Sequence, residues 1–160
     1  MATSKPVRHF ERGLVLLQNR RYAEAALQFQ VAVQLERELG AVRPQMRYRS
    51  FLGLSRTLAG RAKVEDVRLC EQAAKLDHFD PVLQLNLGKV YLRTGKRTRA
   101  ITSFRLGLEM DPGNRELQQL FRRTDRRAAP VLPMLGRNHP VNVSLGRLRA
   151  KWTRRKAAAG

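Results

Sequence analysis

The chain has 160 residues, 42% of them apolar, and carries 32 lysines and arginines against 13 acids, for a formal charge of +19 and a pI near 11.6. That length and apolar content suit one small domain with a packed core. Its longest apolar run falls far short of the roughly 20 residues of a membrane span. The N-terminal Met-Ala-Thr-Ser-Lys-Pro gives no expectation of a secretory leader, and a single cysteine, Cys70, excludes an internal disulfide. A cytoplasmic protein is the expectation.

Apolar residues recur at helical spacing along the chain, which predicts helices over 5–18, 22–39, 44–59, 63–76, 81–94 and 97–110, with no strands. The first pair carries Gly13, Ala25, Phe29 and Ala32. The second carries Leu52, Gly53, Cys70 and Ala73. The third carries Leu87, Gly88, Tyr91, Ala100 and Phe104, and closes on Pro112. A seventh helix over 114–127 places Leu117, Leu120 and Phe121 on one face, with Arg122, Arg123, Arg126 and Arg127 turned mostly outward. Beyond Ala128 the segment Pro130-Val-Leu-Pro-Met-Leu-Gly136 combines two helix-discouraging prolines with four apolar residues. A short amphipathic helix is expected over 140–156, with Leu145, Leu148 and Trp152 on one side.

Aligning Gly13, Gly53 and Gly88 brings Ala25 and Ala100 onto one position, and Phe29, Cys70 and Phe104 onto another four residues later. A fixed register of this kind marks a helical repeat array. Counted from Pro81, positions 7, 8, 11, 20, 24 and 32 of a roughly 34-residue repeat are Leu87, Gly88, Tyr91, Ala100, Phe104 and Pro112, and the pattern resembles the tetratricopeptide repeat (TPR). Gly107 departs from it, standing where alanine is usual. The resemblance implies an all-α solenoid of three helix hairpins, over about 6–39, 46–80 and 81–114, with a capping helix over about 114–127 and an extended basic tail. The domain would span 1–127 and the tail 128–160.

Small residues at positions 8 and 20 let the two helices of a hairpin approach closely, because a larger Cβ substituent would hold the axes apart. Copy two has Asp66 at position 20, so its helices are expected to pack less closely, and His78 stands in place of the closing proline. About six extra residues, relative to the period of roughly 34, fall around Glu38 to Pro44. Either the helix from Tyr22 is longer or the loop after it is enlarged. One more residue lies near Gly60 to Lys63.

In a TPR array the inner groove is lined by first-helix positions 2, 5, 9, 12 and 13. In this chain the resemblance places Phe10, Leu14, Leu17, Gln18, Arg47, Ser50, Leu54, Thr57, Leu58, Val82, Leu85, Lys89, Leu92 and Arg93 there. Such a surface is apolar with basic residues near one end and suits an extended or helical peptide with hydrophobic anchors. Any one of these leucines has a competing structural role, packing between repeats. Chaperone-binding members of the family clamp a terminal carboxylate with Lys and Asn, and here two of the clamp positions are Phe10 and Leu14. The clamp is absent. The chain's own segment 130–136 is an intramolecular candidate for the groove.

Residues 1–114 hold 20 basic and 11 acidic residues, and residues 115–160 hold 12 and 2, so the last 46 residues carry over half the excess charge. Arginine outnumbers lysine 25 to 7, a bias expected of a GC-rich genome, which explains the choice of cation but not the shortage of acids. Candidate polyanion contacts are Arg122, Arg123, Arg126, Arg127, Arg147, Arg149, Lys151, Arg154, Arg155 and Lys156. No motif of a recognised nucleic-acid reader is present. Residues 130–149 resemble a tail found in small bacterial repeat proteins, and that resemblance implies no activity.

His9, His78 and His139 are dispersed, with no carboxylate or cysteine at metal-ligand spacing and no nucleophile motif. No enzymatic activity, cofactor or metal is expected. The favoured reading is a non-enzymatic adaptor that holds a protein segment in its groove, assisted by the basic tail. The alternative is an RNA- or ribosome-associated protein that contacts phosphates through its arginine-rich C-terminal region. Docking of the 140–156 helix on an anionic membrane is a third and weaker reading.

Overall fold

The computed structural model describes residues 4–60 and 62–125, together with Pro140, Val141, 143–145 and Leu148. It divides into two units, Met1–Asp125 and Arg126–Gly160. In the first unit seven helices follow one another: α1 Lys5–Gln18, α2 Tyr22–Glu38, α3 Met46–Leu58, α4 Val64–Leu76, α5 Pro81–Arg93, α6 Arg97–Met110 and α7 Arg115–Thr124. No strand occurs among the described residues. In the second unit Pro140, Val141, 143–145 and Leu148 are helical.

Local sequence sets the helix ends. Pro6 and Pro81 lie in first turns, where a missing N–H costs nothing. The Asp80 carboxylate accepts from Val82 N at 2.9 Å, and the Asn114 side chain accepts from Leu117 N at 3.1 Å, capping α5 and α7. Helices α1, α3 and α5 each run out through a left-handed residue: Arg20 at φ 59°, Gly60 at 87° and Gly95 at 74°. Short turns then send α2, α4 and α6 back along them, giving three antiparallel hairpins.

The hairpins are held by one repeated contact. A Cβ on Gly13 would lie 2.5 Å from Cε1 of Phe29, and one on Gly88 would run into the Phe104 ring. Phe29, Phe104 and Cys70, the three position-24 side chains, are all fully buried. Ala25, Ala32, Ala73 and Ala100 are likewise at 0% exposure, so the facing helix surfaces have no side chain to spare.

Copy two corrects the expectation of looser packing. A Cβ on Gly53 would sit 2.5 Å from the backbone carbonyl of Asp66 and 2.8 Å from Cys70 Sγ, so the backbone of α3 lies against the backbone of α4 as well as against the Cys70 side chain. The smaller Cys70 permits this. Asp66 is tolerated because its carboxylate turns to the helix start, accepting from Lys63 N at 3.1 Å with Arg56 at 3.5 Å. The extra residues before α3 are divided between helix and loop. Helix α2 has 17 residues against 13 in α4 and 14 in α6, and the buried Glu36 accepts from Gln45 N at 2.6 Å, closing the 39–45 loop.

Between the first and second hairpins Phe10, Phe29, Tyr48 and Phe51 form a four-ring cluster with centroids 4.8–5.5 Å apart. Between the second and third, the Ser50 hydroxyl accepts from Asn86 Nδ2 at 3.2 Å, while within the second hairpin Cys70 Sγ donates to the Ser50 carbonyl at 3.3 Å. Leu117 of α7 closes the third hairpin, 3.0 Å from where a Gly107 Cβ would be.

Gly88→Ala should destabilise the protein by about 1–2 kcal/mol in urea unfolding, since overpacking outweighs the roughly 1 kcal/mol of helix propensity that alanine gains. In a Phe104→Leu background the same change should be neutral or stabilising. A loss in both backgrounds would show that the ring contact is not what fixes the helix separation.

Burial pushes the Cys70 thiol up to about 12 from 9.0, and burial together with the hydrogen bond to Glu71 pushes Tyr91 up to about 12 from 10.0. Both groups hold their protons more tightly folded than unfolded. The contribution of these two groups to stability should therefore be level through neutral pH and fall as the unfolded groups begin to ionise on approaching pH 9. Cys70→Ala should move the onset toward pH 10; an unmoved onset in pH-dependent denaturation would contradict this assignment.

Candidate partner-binding face

Helices α1, α3, α5 and α7 form one layer of the stack, tied together by side chains. Arg47 of α3 holds Asp80 at the start of α5, Nε to Oδ2 2.5 Å, and Lys89 of α5 holds Glu116 of α7 at 2.7 Å. The groove residues expected from the repeat register all lie on α1, α3 and α5, but they divide into two groups. Leu54 at 1% exposure and Leu85 at 7% belong to the core, as do Ser50 and Thr57 at 0%. These four offer no surface to a ligand. Position 9 of copy two and position 5 of copy three are filled by packing between α3 and α5, the competing role that the sequence left open.

Phe10 is half-buried, as Leu14 and Leu17 are, and its ring packs in the four-ring cluster between α1, α2 and α3. What remains at the surface is a row of half-buried apolar side chains at Leu14, Leu17, Leu58 and Leu92, with Val82 at the other end of α5. Gln18 and Arg93 are exposed beside that row, and Arg47 and Lys89 have their charges committed to Asp80 and Glu116. The arrangement can hold an apolar chain segment along the helix ends and gives it few free charges to recognise.

No family model matches the chain, and no curated protein matches its sequence. Solved structures do match. The TPR domain of Arabidopsis OM64 superposes with a TM-score of 0.58 at 17% identity, covering 77% of this chain and 96% of that one. The P58(IPK) TPR domain gives 0.63 at 15% identity, over 76% of this chain and 33% of that one. The second TPR domain of human RPAP3, in complex with the HSP70 peptide SGPTIEEVD, gives 0.56 at 18% identity, over 74% and 97%. The chain has the TPR fold.

Within the TPR stack, the first-helix layer is the side described above. The second-helix layer carries an open cavity of about 540 Å³ lined by Ala23, Ala26, Leu27, Gln30, Arg56, Ala59, Lys63 and Asp66. Three of its polar groups satisfy one another, Arg56 donating to Gln30 at 3.0 Å and facing Asp66. Tyr91 donates to Glu71 at 2.7 Å, with Lys96 and Arg99 each 5.9 Å from its ring, and this group ties α4, α5 and α6 together.

Of the expected polyanion contacts, Arg122 and Arg123 are exposed on α7. Arg126, Arg127, Arg147, Arg149, Lys151, Arg154, Arg155 and Lys156 lie outside the described residues, as do segment 130–136, His139 and Trp152. His9 Nδ1 lies 2.9 Å from Gln28 Oε1, and the His78 ring packs on Phe79 with centroids 4.1 Å apart. No cluster of three or more potential metal ligands occurs among the described residues, and no described helix is long and apolar enough to cross a membrane.

The four-ring cluster was not foreseen, although Tyr48 and Phe51 one turn apart on α3 carried its signal. The hydroxyls of Ser55 and Thr57 are buried with no hydrogen-bond partner among the described residues. An unpaired buried hydroxyl costs about 1–3 kcal/mol, and replacing it by an apolar group of the same shape recovers part of that. Thr57→Val should therefore raise the urea midpoint, by about 1 kcal/mol in stability; a lowered midpoint would show that the hydroxyl has a partner in solution.

Proposed function

We propose that the protein is a non-enzymatic, cytoplasmic TPR adaptor that binds a peptide or helix of a partner protein along its first-helix layer. The row formed by Leu14, Leu17, Leu58 and Leu92 carries this reading, because these leucines stay half-buried on a packed TPR stack. A partner segment with apolar anchors would complete their burial. A solved neighbour holds a peptide. Recognition differs from a carboxylate clamp, since two of the clamp positions are Phe10 and Leu14 and Lys89 is paired with Glu116. The ligand is gripped along its length rather than at its terminal carboxylate. Residues 1–127 form the binding domain in this reading. The 128–160 tail assists by long-range attraction, and the chain's own 130–136 segment has the apolar chemistry to compete for the same surface.

Selection of displayed random peptides on the full-length protein, followed by calorimetry on the recovered sequences, tests this. The recovered peptides should carry leucine, isoleucine, methionine or phenylalanine anchors and bind with little response to salt. Leu17→Ser with Leu92→Ser, checked for an intact melting transition, should weaken them by about tenfold or more, equivalent to roughly 1.4 kcal/mol. No enrichment, or binding indifferent to both substitutions, would sink the adaptor reading.

A further inference from the structure

The two edges of the TPR stack differ in charge. Successive helices are antiparallel, so the turns inside the three hairpins, at 19–21, 59–63 and 94–96, lie on one edge, and the loops between hairpins, at 39–45, 77–80 and 111–114, lie on the other. Helix α7 ends on the turn edge, because Arg97 at the start of α6 donates to the Thr124 carbonyl from Nε at 3.0 Å and Nη2 at 2.5 Å. Among the described residues of 19–21, 59–63, 93–97 and 122–125 there are eight basic residues and one acid, Asp125. With one flanking residue included on each side, the three loops of the opposite edge hold two basic residues, Arg43 and Arg115, and four acids, Glu38, Asp77, Asp80 and Asp111.

Six of the eight turn cations, Arg20, Lys63, Arg93, Lys96, Arg122 and Arg123, have no ion-pair partner among the described residues. Arg21 is paired with Glu24, and Arg97 is held by Thr124. Arg20, Lys63, Lys96 and Arg123 are all exposed, one at each hairpin turn and one at the end of α7.

We propose that this turn edge is a binding surface for the phosphate backbone of single-stranded nucleic acid, read without regard to base sequence. Helix axes pack about 8–10 Å apart, so three turns and the end of α7 make a row on the order of 30 Å long. A single strand carries one full charge on every nucleotide whatever its sequence, so its row of charge is continuous over that length. An extended acidic peptide is charged only at its acidic residues and sends alternate side chains to opposite sides. Cations at all three turns and at the end of α7 match the polymer charged at every residue. Guanidinium forks suit phosphate oxygens, and the turns offer a membrane no apolar group larger than alanine. The edge adjoins the end of the leucine row, where Arg93 follows Leu92, but rests on charge alone and does not depend on the adaptor reading.

The test compares two variants of the full-length protein that remove equal charge. One carries Arg20→Asn, Lys63→Gln, Lys96→Gln and Arg123→Gln; asparagine tolerates the left-handed backbone at residue 20. The other carries Arg37→Gln, Arg43→Gln, Arg68→Gln and Lys75→Gln, all exposed, without ion pairs among the described residues and away from the turns. Fluorescence anisotropy with a labelled oligouridylate of about 20 nucleotides should show the turn variant at least about tenfold weaker, with the log–log salt slope reduced by about 0.7 per contact removed. The second variant should change by less than about threefold. Equal losses in both, or unchanged binding by the turn variant, would overturn the proposal. So would polyglutamate binding as tightly as the oligonucleotide with the same loss in the turn variant, which would assign the edge to an acidic protein.

Discussion

Everything in the stack depends on how near two helices of a hairpin can come. The glycine at position 8 faces the side chain at position 24, and with no Cβ in the way Phe29 and Phe104 lie directly on the backbone of α1 and α5. The aromatic rings supply the buried area, and the glycines supply the room. The axis separation so fixed brings the alanines at 25, 32, 73 and 100 to zero exposure and leaves no space for a variant spacing. The same depth in the second hairpin, reached with Cys70, shows that the approach is set by the glycine while the partner side chain fills whatever gap remains.

Much of this was legible in the sequence because a repeat states its constraints more than once. Gly13, Gly53 and Gly88 in one register gave the hairpins, and the observed helices begin and end within about three residues of where periodicity placed them, as far as the irregular seventh helix. What was not legible involves partners that the register does not encode. Asp66 reads as a misfit at a small-residue position, but its carboxylate bends back to Lys63 N and leaves the interface to its own backbone. A rule written in side-chain sizes does not foresee a residue that withdraws its side chain.

The binding face shows the same division. First-helix positions 5, 9 and 12 point to the inner side of a TPR stack, but whether they meet solvent depends on how closely neighbouring hairpins pack. That is a property of pairs such as Ser50 with Asn86 rather than of single positions. Leu54 and Leu85 are lost to the core where α3 and α5 pack together, whereas Leu17, Leu58 and Leu92, near the helix ends, keep part of their surface. The leucines nearest the turns are therefore the ones left to a partner.

Charge follows from the same packing. Most acids in the first unit with a partner on another helix tie one helix to a neighbour: Asp80 to Arg47, Glu116 to Lys89, Asp66 to Arg56, and Glu71 to Tyr91 and Arg99. The exposed pairs among them, Lys89 with Glu116 and Arg99 with Glu71, contribute at most about 1 kcal/mol each, so they orient the hairpins more than they stabilise them. Their effect on the surface is larger. With most of these carboxylates engaged between helices, six of the turn-edge cations have no ion-pair partner among the described residues, and like charges gathered along one edge repel one another. A chain under selection for stability alone would place acids among them, as the opposite loops do with Asp77, Asp80 and Asp111. Their absence from the turns is the feature that folding does not explain, and a polyanion that neutralises the row would relieve the repulsion as it binds.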